Sequence, residues 1–205
     1  MERCRICNWK GTAEKHVARE MMQGRGDSFT YFVCPHCNSL QIAKIPVELG
    51  KYYGKGYYSY SRPDCSVGIV QKQYSTRILD VGCGAGAFLC QMAKQGYTQL
   101  YGCDPFIEED IFYENGIKIY KKTIHEIQGE FDWIFFNNSF EHITDPHDVF
   151  NSACRLLAPR GILKIDIPVF PNIAFDLFST YWYQLDAPRH IILHSKRSME
   201  YLGKR

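Results

Sequence analysis

The fold is decided by residues 77–104, RILDVGCGAGAFLCQMAKQGYTQLYGCD. The segment opens with an apolar run that predicts a buried strand, and it continues into a turn that contains three glycines. From Ala87 the apolar residues recur at helical spacing as far as Gly96, and a second strand-like run ends at Asp104. A strand, a glycine-rich turn, a helix and a second strand are the opening of a doubly wound α/β sheet.

The same alternation continues beyond residue 104 and predicts five strands in all. The remaining three are expected at 116–120, 131–138 and 161–168, and the second of these is apolar throughout, as a central strand should be. Further helices are expected near 108–114, from Pro146 with Asp145 as its cap, and from Ser195. The sequence therefore predicts an α/β, doubly wound, mostly parallel Rossmann-like sheet.

The residue composition and the periodicity of the sequence change near residue 60, and this change predicts two domains. Residues 1–60 are cysteine-paired and rich in tyrosine and glycine, and we expect a small zinc-ribbon-like module with a tyrosine-rich connector. Residues 61–205 hold the alternating strands and helices and are expected to form the ligand-binding domain.

Composition places the chain among ordinary folded proteins. Of its 205 residues 45% are hydrophobic and 22% are charged, which excludes a disordered chain, a collagen-like fibre and a coiled coil. No apolar run is long enough for a membrane span, and residues 1–10 lack the apolar core of a signal peptide, so we expect a cytoplasmic protein. The formal charge is +2, and four thiolates with one zinc ion would cancel it, which argues against nucleic acid as a partner.

Four of the nine cysteines form two tight pairs, Cys4/Cys7 and Cys34/Cys37. A C-x-x-C turn directs both sulfurs at one ion, and two such turns complete a closed tetrahedron, so the spacing predicts a structural zinc site. Redox pairs and free thiols are the alternatives. The other five cysteines occur singly and are expected to be small buried hydrophobic residues: Cys65, Cys83, Cys90, Cys103 and Cys154.

The glycine turn and two acids indicate an adenosine-type ligand. The glycines let the backbone approach a ligand closely, and Asp104, at the end of the second strand, can accept hydrogen bonds from ribose hydroxyls. Gly82, Gly84 and Ala87 also satisfy the G-x-G-x-x-A dinucleotide pattern, and a plain tight turn is a third possibility. Asp80 favours S-adenosylmethionine, because its carboxylate would repel a pyrophosphate and would attract an ammonium and a sulfonium.

The middle of the chain resembles the class I S-adenosylmethionine-dependent methyltransferases. The resemblance covers about residues 75–170, where four motifs occur in the family's order. They are LDVGCGAG at 79–86, Asp104, FDWIFFNNSFEHITDP at 131–146 and LLAPRGILKIDIP at 156–168. One departure is Arg160, which stands where the family usually has a second glycine.

This resemblance implies a cofactor pocket. The glycine turn would lie against the methionine part of the cofactor, Asp80 near its ammonium, and Asp104 against its ribose. The turn after the third strand would flank the adenine, and the residues after the fourth strand would line the opposite side. The implied set is Asp80, Gly82, Cys83, Gly84, Gly86, Asp104, Pro105, Ile124, His125, Asn137, Asn138, Phe140 and His142. Glu141 and His142 could instead form a catalytic pair, but the resemblance favours a supporting role in the pocket.

The N-terminal segment is similar to the zinc-binding leader of bacterial sugar C-methyltransferases, which act on nucleotide-linked keto-deoxysugars. The similarity rests on CRICN at 4–8 and on VCPHCNSLQIAKIPVELGKYYGKGYYSYS at 33–61. In those enzymes a tyrosine of that stretch and a histidine downstream of strand five serve the acceptor. The similarity therefore implies Tyr58 or Tyr60, and His190, as catalytic residues here.

The expected chemistry suits these residue types. Methylation of a carbon beside a ketone requires removal of an acidic proton, and a histidine is suited to take it, while a tyrosine hydroxyl could donate to the developing oxyanion. For O-methylation His190 could deprotonate a sugar hydroxyl instead, and a purely structural role for it is the alternative. His190 and His194 are four residues apart, but no third ligand is visible, so no second metal site is expected.

The chain ends inside the helix after strand five, whereas the family's sheet normally holds seven strands with an antiparallel hairpin as the last two. We expect that C-terminal residues are absent, that a homodimer partner covers the edge of strand five, or that this is a reduced variant. The cofactor pocket uses mostly strands one to four and is expected to survive.

The sequence thus predicts a cytoplasmic S-adenosylmethionine-dependent methyltransferase with a structural zinc. Its acceptor is expected to be a small molecule, a sugar or a nucleotide-linked sugar. The alternatives are an RNA methyltransferase that binds through the zinc module, a cofactor-binding protein without turnover, and a nicotinamide dehydrogenase.

Overall fold

The computed structural model describes residues 1–53, 58–66, 68 and 72–204. The chain divides into two compact units. The terminal unit comprises Met1–Gly54, Glu141–His147 and Ile167–Arg205, and the sheet unit comprises Lys55–Phe140 and Asp148–Asp166. Among the described residues, no helix has the length and apolar character needed to cross a membrane.

Within the described residues, the secondary structure consists of strands, four α-helices and several 3-10 turns. The strands are β1 (Glu2–Arg3), β2 (Lys10–Gly11), β3 (Lys15–Arg19), β4 (Ser28–Val33), β5 (Leu40–Ile42), β6 (Tyr74–Val81), β7 (Tyr97–Cys103), β8 (Ile111–Phe112), β9 (Lys118–Tyr120), β10 (Phe131–Asn137), β11 (Leu157–Asp166) and β12 (Ile192–Leu193). The helices are α1 (Ala87–Lys94), α2 (Pro146–Leu156), α3 (Ile173–Phe178) and α4 (Lys196–Gly203). The 3-10 turns are Leu49–Tyr52, Tyr58–Tyr60, Ile124–Glu126, Phe140–His142, Ser179–Tyr181 and Tyr183–Leu185.

The sheet unit is built on a six-stranded sheet in the order β11-β10-β6-β7-β9-β8. All neighbouring pairs are parallel except the edge pair β8 and β9. The parallel strands follow the order 3-2-1-4-5 by position in the chain, so the direction of winding reverses between β6 and β10. Such a reversal is the topological switch point at which doubly wound sheets bind ligands. The predicted α/β fold is confirmed, and β10 is a central strand as expected.

Right-handed crossovers place the two helices of the sheet unit on opposite faces. Helix α1 connects β6 to β7, and α2 connects β10 to β11, in the opposite direction across the sheet. Helix α1 buries an apolar stripe that includes Leu89 and Met92 against Ile78, Leu100 and Ile119. This packing fixes the end of the glycine turn from which α1 begins.

The prediction of a helix near 108–114 is wrong. Ile111 and Phe112 form β8, which pairs antiparallel with β9. Gly116, with φ of +90°, closes the turn through a hydrogen bond from its N–H to the carbonyl of Tyr113. Asn115-Gly116 between two alternating runs is a hairpin signal, and it outweighs the weak helical spacing.

The expectation is also wrong for three of the five single cysteines. Cys65 and Cys90 form a disulfide, with Cα atoms 4.8 Å apart, because Cys90 on α1 faces the segment that holds Cys65. Cys154 is exposed, since it lies outside the buried face of α2 that includes Ala153 and Leu156. Cys103 is buried as expected.

The terminal unit contains a four-stranded antiparallel sheet in the order β12-β5-β4-β3 and a ribbon of β1 and β2. Strand β12, near the end of the chain, pairs with β5, and the Tyr31 hydroxyl donates to the carbonyl of His190 at 2.8 Å. The residues after 167 therefore pack with the first 54, whereas the sequence analysis divided the chain at residue 60.

Candidate functional site

The glycine turn after β6 has a backbone conformation, and neighbours so close, that only glycine fits there. Gly82 has φ of +73°, and a Cβ on it would lie 2.6 Å from the Cβ of Ser139. Gly84 has φ of +53°, and a Cβ on it would collide with the carbonyl of Ser59. Left-handed backbone and close neighbours together explain the glycines, and the turn presents bare backbone at the carboxyl end of β6.

Asp80 is a buried acid at the topological switch point. Only 3% of its surface is exposed, and its Oδ1 accepts a hydrogen bond of 3.0 Å from Asn137 Nδ2 on β10. Burial raises the pKa of Asp80 to about 7, although the bond from Asn137 opposes the shift. A cation placed beside this carboxyl would favour its ionised form.

Asp104 fastens the glycine turn to the end of β7. Its Oδ2 accepts from the N–H of Gly84 and its Oδ1 from the N–H of Phe106, both at 2.9 Å. Burial raises the pKa of Asp104, and these two N–H groups oppose the shift. Each carboxylate oxygen keeps a second lone pair, which a ribose hydroxyl could use.

The 3-10 turn Tyr58–Tyr60 lies against the glycine turn. The N–H of Ala85 donates to the carbonyl of Ser59 at 2.8 Å. Tyr60 packs beside the apolar cluster of α1, and burial together with the charge of Asp104 raises its pKa. The Tyr60 hydroxyl is therefore neutral at physiological pH and able to donate a hydrogen bond. The side chain of Tyr58 lies outside the described residues.

The structure places all but one of the predicted cofactor residues in the sheet unit. These are Asp80, Gly82, Cys83, Gly84, Gly86, Asp104, Pro105, Ile124, His125, Asn137, Asn138 and Phe140. His125 Nδ1 lies 2.8 Å from Ser152 Oγ on α2, and buried Phe140 packs edge-to-face on Phe136 at 5.1 Å. His142 belongs to the terminal unit.

Two serines contribute to this site and were not found from the sequence. Ser139 Oγ donates to the carbonyl of Val81 at 2.6 Å, which ties the residues after β10 to the end of β6. Ser59 supplies the carbonyl that caps the glycine turn. Ser139 lies in the 131–146 motif and Ser59 in the 33–61 segment, but neither was assigned a role of its own, because each acts through one contact with a distant segment.

In the terminal unit His190 stands in a cluster of polar side chains. It is 7% exposed, and its Nε2 lies 3.8 Å from both Glu141 Oε1 and Asp186 Oδ2. The ring of His142 is near, with a centroid distance of 4.7 Å. Burial, together with the neighbouring His142, lowers the pKa of His190, so its imidazole is neutral at pH 7. The sequence analysis gave His190 a role but did not connect it with Glu141 or Asp186.

The four paired cysteines converge in the terminal unit. Their sulfurs lie within 4.8 Å of one another, with Cys4 to Cys37 at 3.5 Å and Cys7 to Cys34 at 3.6 Å. Ligands about 2.3 Å from a tetrahedral zinc lie about 3.8 Å apart, so the spacing fits a zinc ion. The N–H groups of Ile6 and Cys7 also point at Cys4 Sγ, each at 3.4 Å.

The two C-x-x-C turns share one backbone geometry. Each is followed by a left-handed asparagine, Asn8 with φ of +59° and Asn38 with φ of +58°. The first cysteine of each turn donates its N–H to the carbonyl five residues on, Cys4 to Trp9 at 2.8 Å and Cys34 to Ser39 at 2.9 Å. Two matching turns that face each other are the arrangement that a closed four-cysteine metal site requires.

Comparison with known proteins finds a family match over most of the chain. A family model described as a methyltransferase domain matches residues 61–205. The ubiquinone biosynthesis O-methyltransferase of Escherichia coli O127:H6 is 29% identical over 98 residues, which cover 43% of this chain and 41% of that protein. The corresponding protein of Klebsiella pneumoniae strain 342 is 29% identical over 98 residues and is covered to 40%. The chain spans about two fifths of the length of these curated relatives.

Two solved structures are also similar. The YcgJ protein from Bacillus subtilis is 16% identical, with a TM-score of 0.48, and the match covers 65% of this chain and 62% of that one. Magnesium protoporphyrin IX methyltransferase from Synechocystis PCC 6803, solved with bound SAH, is 13% identical, with a TM-score of 0.49 and coverage of 62% of both chains.

Proposed function

The chain belongs to the methyltransferase domain family, and on that premise we propose that it transfers a methyl group from S-adenosylmethionine to a small-molecule acceptor. The observation that carries the proposal is the buried carboxyl of Asp80 at the switch point, beside a turn of bare backbone. A buried acid with a raised pKa is costly to the free protein, and a cationic ligand would offset that cost.

We propose that the cofactor is held by the sheet unit. Asp80 would accept from the ammonium of the methionine part, and the glycine turn would let that part approach the backbone. Asp104 would accept from the ribose hydroxyls with the lone pairs that Gly84 and Phe106 do not use. Ile124 and His125, on the turn after β9, would flank the adenine.

We propose that the four cysteines bind a structural zinc ion. Four protein ligands fill the tetrahedron and leave no position for water or substrate, so the ion would stabilise the fold and take no part in the reaction. The terminal unit is built from small strands around these cysteines, and metal binding would supply folding free energy there.

For the acceptor we propose a sugar, and in particular a nucleotide-linked sugar. The support is the similarity of the N-terminal segment to sugar C-methyltransferases and the position of Tyr60 beside the glycine turn. In the transfer the bond from sulfur to the methyl carbon breaks, sulfur keeps the electron pair, and the carbon bonds to an acceptor oxygen or carbon. The proton lost by the acceptor would pass to His190, and Tyr60 or Tyr58 would donate to the developing oxyanion.

Replacement of His190 should remove turnover and leave cofactor binding unchanged. We expect His190→Gln to lower methyl transfer by about 10²- to 10⁴-fold, the usual contribution of an acid–base group. The affinity for S-adenosylhomocysteine should stay within about twofold, because the proposed cofactor residues lie in the sheet unit. The assay follows transfer of a labelled methyl group to a panel of nucleotide-linked keto- and hydroxy-sugars.

The matched control is His16→Gln, a half-buried histidine of the terminal unit that belongs to neither site. It should keep full turnover. Unchanged turnover in His190→Gln would reject the role of His190. Cofactor binding without transfer to any sugar of the panel would reject the acceptor class.

A further inference from the structure

We propose that Glu141, His142 and His190 bind a divalent cation of the zinc type, at a second site distinct from the four cysteines. One donor atom from each of these side chains lies within 4.8 Å of the other two. Glu141 is completely buried and His190 is nearly so. Two imidazole nitrogens and one carboxylate oxygen are a common ligand set for zinc, with a further position left for a substrate oxygen.

The distances in the cluster are those of groups that share an ion. Nitrogen and oxygen ligands about 2.1 Å from one zinc lie about 3 to 4 Å apart, depending on the angle between them. Nε2 of His190 lies 3.8 Å from Glu141 Oε1. This separation is too long for a hydrogen bond and is within the span that one bridging ion would hold.

Both histidines have their second nitrogen fixed by the backbone. Nδ1 of His190 lies 2.8 Å from the carbonyl of Gln184, and Nδ1 of His142 lies 2.9 Å from the carbonyl of Arg189. A carbonyl can only accept, so in each ring Nδ1 carries the hydrogen and Nε2 presents its lone pair. Metal-binding histidines are oriented in this way, with the other ring N–H donated to a carbonyl or carboxylate.

The backbone also fixes the two segments that carry the ligands. The carbonyl of Glu141 accepts from the N–H of Ile191 at 2.8 Å, and the carbonyl of His190 accepts from the Tyr31 hydroxyl at 2.8 Å. The three ligands are therefore positioned by contacts that need no metal, and binding would order little additional chain.

The charge of the surroundings favours a cation. Asp186 lies with Oδ2 3.8 Å from His190 Nε2, and the buried guanidinium of Arg189 pairs with Asp186. Counted by their formal charges, the side chains of Glu141, Asp186 and Arg189 sum to minus one. A divalent ion would reverse the sign of that charge and attract an acceptor oxygen.

This inference refines the role proposed above for His190 and rests on the proposed function in that one respect. With an ion in place, His190 would act on the acceptor as a ligand of the ion, which would make a bound hydroxyl more acidic, and the proton that the hydroxyl loses would pass to water and not to His190. The site itself is defined by residues of the terminal unit and is tested without any acceptor.

The test is the metal content of the full chain. The zinc-loaded protein is dialysed against Co²⁺, and bound zinc and cobalt are counted per chain. We expect two metal equivalents in the wild type and one in Glu141→Gln and His190→Gln. Spectra of the cobalt form should lack a thiolate-to-cobalt band, since the second ion would have nitrogen and oxygen ligands.

His16→Gln is the control and should keep both equivalents. One equivalent in the wild type, or two in both Glu141→Gln and His190→Gln, would overturn the inference. Titration of the same samples with S-adenosylhomocysteine separates the two proposals. Cofactor binding with only one metal equivalent rejects the second metal site alone, whereas two equivalents without cofactor binding reject the proposed function alone.

Discussion

Asp80→Asn should stabilise the free protein at high pH and, at the same time, weaken its binding of S-adenosylhomocysteine by about 10- to 100-fold, the usual cost of a lost charged hydrogen bond. Burial raises the pKa of Asp80 from 3.8 to about 7. Between these values the folded protein holds a proton that the unfolded chain has released. The free energy of unfolding of the wild type should therefore fall by about 1.4 kcal/mol for each unit of rising pH, and level off above about pH 7.

Asparagine has the shape of aspartate and no charge. The free energy of unfolding of the variant should therefore not decrease with rising pH in this way. Unfolding by urea at pH 5, 6, 7 and 8 measures it, and calorimetry measures the affinity. Asp148→Asn is the matched control, because Asp148 is an exposed acid on α2. Asp148→Asn should change neither the pH dependence of the free energy of unfolding nor the affinity for S-adenosylhomocysteine. If Asp80→Asn bound the cofactor product as tightly as the wild type, the carboxyl would not face the ammonium.

Cys34→Ser should remove one equivalent of zinc and unfold the terminal unit. Structural zinc contributes about 10–16 kcal/mol to the folding of small zinc peptides, so loss of one sulfur ligand should cost most of the stability of this unit. The sulfurs of Cys7 and Cys34 are 3.6 Å apart, and serine cannot replace a thiolate in such a set. Metal analysis and amide hydrogen exchange check the result, with lost protection expected in β4 and β5.

The control is Cys154→Ser, which changes an exposed cysteine of α2 and should leave zinc and exchange unchanged. Chelation of zinc from the wild type should reproduce the exchange pattern of Cys34→Ser. Full protection of β4 and β5 in the metal-free protein would contradict a structural role for the ion.

The glycine turn and its two acids could be predicted from sequence because each acts through near neighbours. Asp80 and the glycines are contiguous, and Asp104 ends the next strand, where parallel pairing brings it to the same edge of the sheet. The same holds within each C-x-x-C pair, whose spacing directs its two sulfurs to one side, although the meeting of the two pairs depends on the fold. Short-range geometry was enough in both cases.

The cluster around His190 could not be predicted, because its members come from separate segments. Glu141 and His142 follow β10, and His190 lies before β12, so their proximity depends on how β12 pairs with β5. That pairing involves only two residues of each strand, and no sequence motif predicts it. The same pairing joins residues 192–193 to residues 40–41, although a division at residue 60 would assign the two strands to different domains.

The predicted helix near 108–114 failed for a local reason. The segment has few apolar residues at helical spacing, and the Asn115-Gly116 pair closes a hairpin between Phe112 and Lys118. Turn residues set the local structure here more strongly than apolar spacing does.

Isothermal titration calorimetry of the zinc-loaded chain with S-adenosylhomocysteine tests the central claim, that the sheet unit is a binding site for S-adenosylmethionine. We predict one site per chain with a dissociation constant of about 1–100 μM, corresponding to roughly 5.5–8 kcal/mol. The affinity should fall by about 10- to 100-fold in Asp80→Asn and stay unchanged in Asp148→Asn. A folded, zinc-loaded chain that gives no binding heat at about millimolar S-adenosylhomocysteine would contradict the claim.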